Sequence, residues 1–215
     1  MNAMIRPLLP CIPYNKISTE VDSTILISSA LLLIGAVFAA WCLGLYAARH
    51  FGGNKKKTVL AFAGITGLVT LTMLCFFGCT AVTIRGVIFT LLLTFSSYSD
   101  IRTRECGDCL HLMIVIAAFI GTELSGLPGM ILSGITACVV TLIPAFFGKR
   151  SLGGADIKCS AACAFLLGFR RSMIGLIVGL LLAVVINAIQ NRKKKQLGFP
   201  LIPYLAVGFT AAYFL

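Results

Sequence analysis

Acidic side chains are scarce in this chain: 215 residues hold seven Asp and Glu against eighteen Lys and Arg. Charged residues of both signs make up only 12%, well below the share in a soluble globular domain, while 59% of the chain is hydrophobic. Alternating apolar and polar positions are also missing, which excludes a membrane β-barrel, and open sheet edges cannot sit in lipid. The apolar runs lack the polar face that a soluble helix turns to water. Several of them approach or exceed the ~17–25 residues that cross a bilayer as helix. The fold expected is an all-α integral membrane protein, a polytopic bundle of about eight transmembrane helices in one domain spanning 1–215. Their approximate positions are 24–48, 58–79, 82–99, 110–124, 129–147, 157–169, 173–190 and 198–215.

Other absences narrow the function. The first twenty residues mix prolines with polar groups, so no clean signal peptide is read there. No second CxxC follows Cys106 and Cys109, which argues against a zinc or redox module. Cys42, Cys75, Cys138 and Cys163 lie in apolar runs and read as small buried hydrophobes. Cys106, Cys109, Cys159 and Cys163 would make a metal site only if two segments converged. No internal repeat is evident, which weakens a secondary-transporter reading.

What is present is positive charge, and it is one-sided. The net charge is +11. Arg49 and Lys55–Lys57 follow the first helix, Arg102 and Arg104 the third, Lys149, Arg150 and Lys158 the fifth, and Arg192–Lys195 the seventh. With eight alternating helices, these thirteen of the eighteen basic residues fall on one side, which the positive-inside rule makes cytoplasmic. Arg170 and Arg171 fall on the other. The charge therefore reads as membrane orientation and not as a nucleic-acid surface.

Against this background the few acids stand out. Glu20 and Asp22 precede the first helix and Glu123 lies near a non-cytoplasmic end, whereas Asp100, Glu105, Asp108 and Asp156 all fall near the cytoplasmic face. Asp100 closes the run "FTLLLTFSSYSD", and Asp156 opens "IKCSAACAFLLG" after Gly153, Gly154 and Ala155. Two opposed carboxylates can share one proton: the ionised one activates water and the protonated one polarises a carbonyl. The plainer readings stay open. Asp156 is placed to cap its helix, Asp100 to pair with Arg102 or Arg104, and the glycines either punctuate a loop or allow close approach and positive φ. An ion or proton pathway would need acids deeper in the helices than this chain has.

"SYSDIRTR" and, some fifty residues later, "GGADIKCSAACAFLLG" together resemble the motifs of the prepilin peptidase family, membrane aspartyl proteases that include short members of tight-adherence pilus systems. Asp100 matches the family's D-x-R-x-R aspartate, with Arg102 and Arg104 as its basic pair. Asp156 and Lys158 match the aspartate and lysine of G-x-G-D-x-K. The closing "FPLIPYLAVG" resembles its late P-F-x-P-x-L-x-x-G motif at Pro200, Pro203 and Gly208. The chain departs from the family at Ala155, which replaces the glycine before the second aspartate, and at "ECGD", residues 105–108, which replaces I-P-N. The large cysteine-rich cytoplasmic loop of longer members is absent between 49 and 57, so their methyltransferase activity is not carried over.

The resemblance implies cleavage of the basic leader from type IV prepilin-like precursors at the cytoplasmic face of the inner membrane. Asp100 and Asp156 would be the catalytic pair, without metal or other cofactor. Gly153, Gly154, Ala155, Lys158, Arg102, Arg104, Pro200, Pro203 and Gly208 would support them, and Glu105 and Asp108 would attract the basic leader. The partners implied are that precursor with its hydrophobic helix, membrane lipid, and pilus or secretion assembly machinery, with no nucleic acid. A non-catalytic assembly protein and, after it, a small-solute transporter are the competing readings.

Overall fold

The computed structural model describes residues 23–147, 153–191 and 200–215. Glu20, Asp22, Lys149, Arg150 and the run Arg192–Lys195, which entered the charge pattern, lie outside these residues. Eight α-helices follow one another: α1 (Ser23–His50), α2 (Lys55–Phe77), α3 (Ala81–Thr103), α4 (Asp108–Ala117), α5 (Leu127–Phe147), α6 (Gly154–Leu167), α7 (Phe169–Asn191) and α8 (Ile202–Tyr213). A short 3-10 turn, Leu124–Gly126, precedes α5.

Five segments are long and apolar enough to cross a membrane: 24–50, 55–77, 81–103, 124–143 and 169–189. The remaining helices α4, α6 and α8 have 10, 14 and 12 residues. At 1.5 Å per residue each falls short of a ~30 Å hydrocarbon core. The expected helix at 110–124 therefore differs most from the structure, since α4 ends at Ala117 and the chain turns at Gly121 (φ +67°). Local chemistry sets the other boundaries. Asn54 accepts from the Lys57 amide at the start of α2, and Gly78 (φ +64°) ends that helix. Thr80 caps α3, and Arg104 closes it in a left-handed conformation (φ 58°).

The long helices turn their apolar side chains outward. Leu31, Ile34 and Phe38 of α1, Leu68 of α2, Leu132 of α5 and Leu181 of α7 are all exposed. Such a surface suits lipid and not water. The interior is built from α3, α6 and α8, with Phe89, Leu93, Cys163, Leu205 and Phe209 in one cluster. Small residues bring α7 against α8: a Cβ added at Gly208 would lie 2.8 Å from the Gly179 Cα.

Among the described residues, segments expected on one side gather at one end of the bundle. Tyr98, near the end of α3, donates its hydroxyl to the Gly52 carbonyl between α1 and α2 (2.8 Å). The start of α8 meets the end of α3 through Ile202 and Asp100, and the start of α4 meets the start of α6 through Asp108 and Lys158. At the opposite end, Arg85 of α3 donates to Thr122 after α4 and to Tyr213 at the end of α8.

Candidate active site

Asp100 sits in the last turn of α3 and is 7% exposed. Its carboxyl oxygen Oδ2 accepts the Ile202 backbone N–H at 3.1 Å. Ile202 opens α8, so its amide has no acceptor within the helix and is free for an outside partner. Pro203 follows it in the first turn, where its fixed φ and missing N–H fit a helix start. The late proline-containing motif thus delivers one amide to one aspartate. The Gly208 crossing holds the helix that carries Ile202 against α7; Ile202 itself, acting through its backbone, carries no side-chain signal in the sequence.

Asp156 lies in the first turn of α6, and its Oδ2 accepts the Gly153 N–H at 3.2 Å. The helix cap read from the sequence is present. Burial, and next the charge of Asp100, push its pKa up to about 6, while the Gly153 hydrogen bond opposes them. The charge of Asp100 at the end of α3 reaches Asp156 at the start of α6, and α8 packs against both helices.

Of the readings open for the glycines, close approach fits Gly153 and positive φ fits neither. Gly153 has φ −64°, and neither it nor Gly154 adopts positive φ. Closeness is the constraint at Gly153, where an added Cβ would stand 3.3 Å from Asp156 Oδ2. At Gly154 an added Cβ would meet nothing. Ala155 lies within right-handed helix, so the left-handed penalty on its methyl group does not arise.

The basic and acidic flanking residues separate into distinct roles. Lys158 donates to both carboxyl oxygens of Asp108, at 2.8 and 2.9 Å. That bond, and then the lysine charge, hold Asp108 below the usual carboxylate range. Asp108 is therefore paired with this chain's own cation, whereas Glu105 presents an exposed side chain while its carbonyl accepts from Ser99 (2.6 Å). Arg102 stacks over Tyr98, 5.5 Å from the ring centre, and Arg104 acts on Asp100 through space.

Beside the Asp108–Lys158 pair opens an apolar groove of about 500 Å³ between α4, α5 and α6, walled by Leu112, Val115, Ile131, Ile135 and Phe165. His111, a residue the sequence reading passed over, lines its polar end. The thiols of Cys106 and Cys159 adjoin its imidazole, so the two cysteine segments do converge. Among the described residues, however, no group of three His, Cys, Asp or Glu side chains is arranged to hold a metal ion.

Residues 87–188, from α3 into α7, match the model of the type IV leader peptidase family. The matched span contains Asp100, Asp156 and Lys158 and supports the family assignment, ending before the late motif at 199–208. No curated protein and no solved structure matches the chain.

Proposed function

We propose, with the type IV leader peptidase family as premise, that this membrane protein is an aspartic endopeptidase that removes the basic leader of prepilin-like precursors. What supports the reading is that Asp100 ends α3, Asp156 opens α6, and the charge of one acts on the other. Adjacent carboxylates in a partly desolvated site resist double ionisation and retain a shared proton. The ionised member takes a proton from water as the oxygen adds to the scissile carbonyl. The protonated member donates to the carbonyl oxygen, and the departing amine later receives a proton. The pair titrates as a unit, so neither role belongs to one residue in the free enzyme.

The surroundings fit that substrate. The site lies at the bundle end that holds the α1–α2 loop, the α3–α4 loop and the start of α8, the end the positive-inside rule makes cytoplasmic. A basic leader meets exposed Glu105 there, and the groove beside Lys158 offers apolar walls to the hydrophobic stem. Because Asp108 is engaged by Lys158, Glu105 is the stronger attractor of the two.

The test is cleavage of a leader-bearing precursor by the lipid-embedded protein. Wild type is expected to release the leader. Asp100→Asn and Asp156→Asn, each inserted and folded, are expected to lose about 10²–10⁴-fold in rate. Full cleavage by both Asn variants would refute the aspartate mechanism. An intact precursor with wild-type protein, in a cell whose pilus assembly still depends on the chain, would favour the non-catalytic assembly reading.

A further inference from the structure

α4 and α5 both pack on α6 but, among the described residues, not on each other. The groove of about 500 Å³ lies in that gap, so its floor is α6, the helix that carries Asp156 in its first turn. Its lining follows one face of each helix: His111 and Val115 on α4, Ile135 on α5, and Lys158, Ala162 and Phe165 on α6. From Lys158 to Phe165 the floor runs roughly 10 Å at 1.5 Å per residue, enough for about two turns of a second helix. The gap opens sideways, towards lipid. Leu112 on one lip is 60% exposed and Ile135 on the other 57%, whereas Ala162 at the floor is 5% exposed. The polar groups gather at the end nearest Asp156, where Lys158 binds Asp108 and the His111 imidazole is buried without a nitrogen or oxygen partner.

We infer that this groove receives the hydrophobic stem of the precursor sideways, from within the bilayer, so that the first two turns of the stem lie along α6 and the scissile bond rests at the start of that helix, beside Asp156. This rests on the peptidase reading above. Three features choose a peptide stem over a lipid chain. The groove is continuous with the site, because its floor helix is the one that carries Asp156. Its direction is right: from the site end it runs into the bundle, as a stem does behind a cytoplasmic leader. Its polar end also suits a peptide. A segment held open for cleavage leaves backbone groups without helical partners, which at membrane depth must be met by protein, and the His111 ring faces the groove there. A lipid would bring a phosphate to the same end, where Asp108 already engages Lys158 through both oxygens.

The experiment compares two probes with the full chain in lipid: the leader-bearing precursor with its whole apolar helix, and a peptide that keeps the leader but ends just past the scissile bond. Wild type is expected to favour the precursor by about tenfold or more in kcat/KM. Leu112→Trp and Ile135→Trp put bulk at the two lips of the groove and are expected to lose most of that preference. Leu181→Trp, at a position equally exposed to lipid on α7, is expected to keep it. The same preference in wild type and both lip variants would overturn the inference, and so would an equal loss in Leu181→Trp. Contact is read without chemistry by a benzophenone-bearing amino acid in place of Ile135 in the Asp100→Asn background. A cross-link to the stem of the intact precursor is expected, and cross-links to lipid alone would overturn the inference, which decides the matter where a Trp variant does not insert. Failure of the aspartate reading is seen separately, as cleavage that survives Asp100→Asn and Asp156→Asn, since the cross-link reports binding in either case.

Discussion

Asp156 caps its own helix and feels the charge of a second carboxylate, and these surroundings pull its proton in opposite directions. The Gly153 amide and the α6 N-terminus favour the anion, while burial and Asp100 favour the acid, and the balance lies at about 6. A folded-state pKa above the unfolded value means that ionised Asp156 opposes folding. The penalty is absent below about pH 4, where both states hold the proton, and complete once pH has risen past about 6. Asp156→Asn keeps an oxygen for the Gly153 amide and never ionises. It is therefore expected to raise Tm at pH 7.5 by roughly 2–4 °C, the shift that about 1 kcal/mol gives in a chain of this length after solvent screening. The gain should vanish at pH 4. Thermal unfolding in detergent at the two pH values checks this, and equal Tm at pH 7.5 would count against the burial and repulsion described here. The same variant is expected to lose cleavage, so stability and activity move apart at one residue. Gly153→Ala is expected to keep insertion while slowing cleavage several-fold, because its methyl group crowds Asp156 Oδ2 at 3.3 Å; unchanged kinetics would show that the carboxyl has room to move.

At the scale of elements, α8 is the part that fixes Asp100. Its first amide binds the carboxyl, and its middle is held to α7 by the contact of Gly208 with Gly175 and Gly179. A Cβ at Gly208 would meet the Gly179 amide nitrogen at 2.6 Å, with backbone on the other side that cannot turn away. Gly208→Ala is therefore expected to cost about 1–3 kcal/mol and to reduce cleavage along with it, because α8 must shift and carry Ile202 away from Asp100. Melting and rate measured on the same preparation test the coupling: a lower Tm with unchanged cleavage would separate α8 packing from the site. Much of this was legible in the sequence. The apolar runs gave eight helices in order, and Pro203 and Gly208 were singled out within the late motif. The partner of Asp100 was not legible, because the group that binds it is the backbone of Ile202, which every residue but proline possesses. Asp108 was readable as an acid near the site but not as one already paired, since its lysine lies fifty residues away in the chain. His111 was missed for a related reason: its surroundings come from α6 and from the loop before α4, and α6 has no sequence proximity to it.

For the whole molecule, the charge asymmetry and the packing make the same claim about sidedness by independent routes. Lys55–Lys57, Arg102, Arg104 and Lys158 were assigned to one face by counting helices, and the contacts from Tyr98 to Gly52, Ile202 to Asp100 and Lys158 to Asp108 put their segments at one end. The short helices α4, α6 and α8 do not break this agreement. Each begins at that same end, and α4 and α8 lead to Thr122 and Tyr213, both bound by Arg85 at the opposite end, so a short helix still reverses the direction of the chain. A miscounted helix would have scattered the basic loops between both ends. Two native cysteines report the arrangement directly. Cys109 is exposed at the start of α4 at the site end, and Cys79 is exposed between α2 and α3 at the opposite end. In a variant that keeps Cys109 alone, a membrane-impermeant maleimide is expected to label inverted vesicles and spare intact spheroplasts. In one that keeps Cys79 alone, the pattern is expected to reverse. Labelling of both from one side would break the end-to-end arrangement of α3, and Cys109 reacting from outside the cell would place the aspartates away from the cytoplasmic leader that the proposed reaction requires.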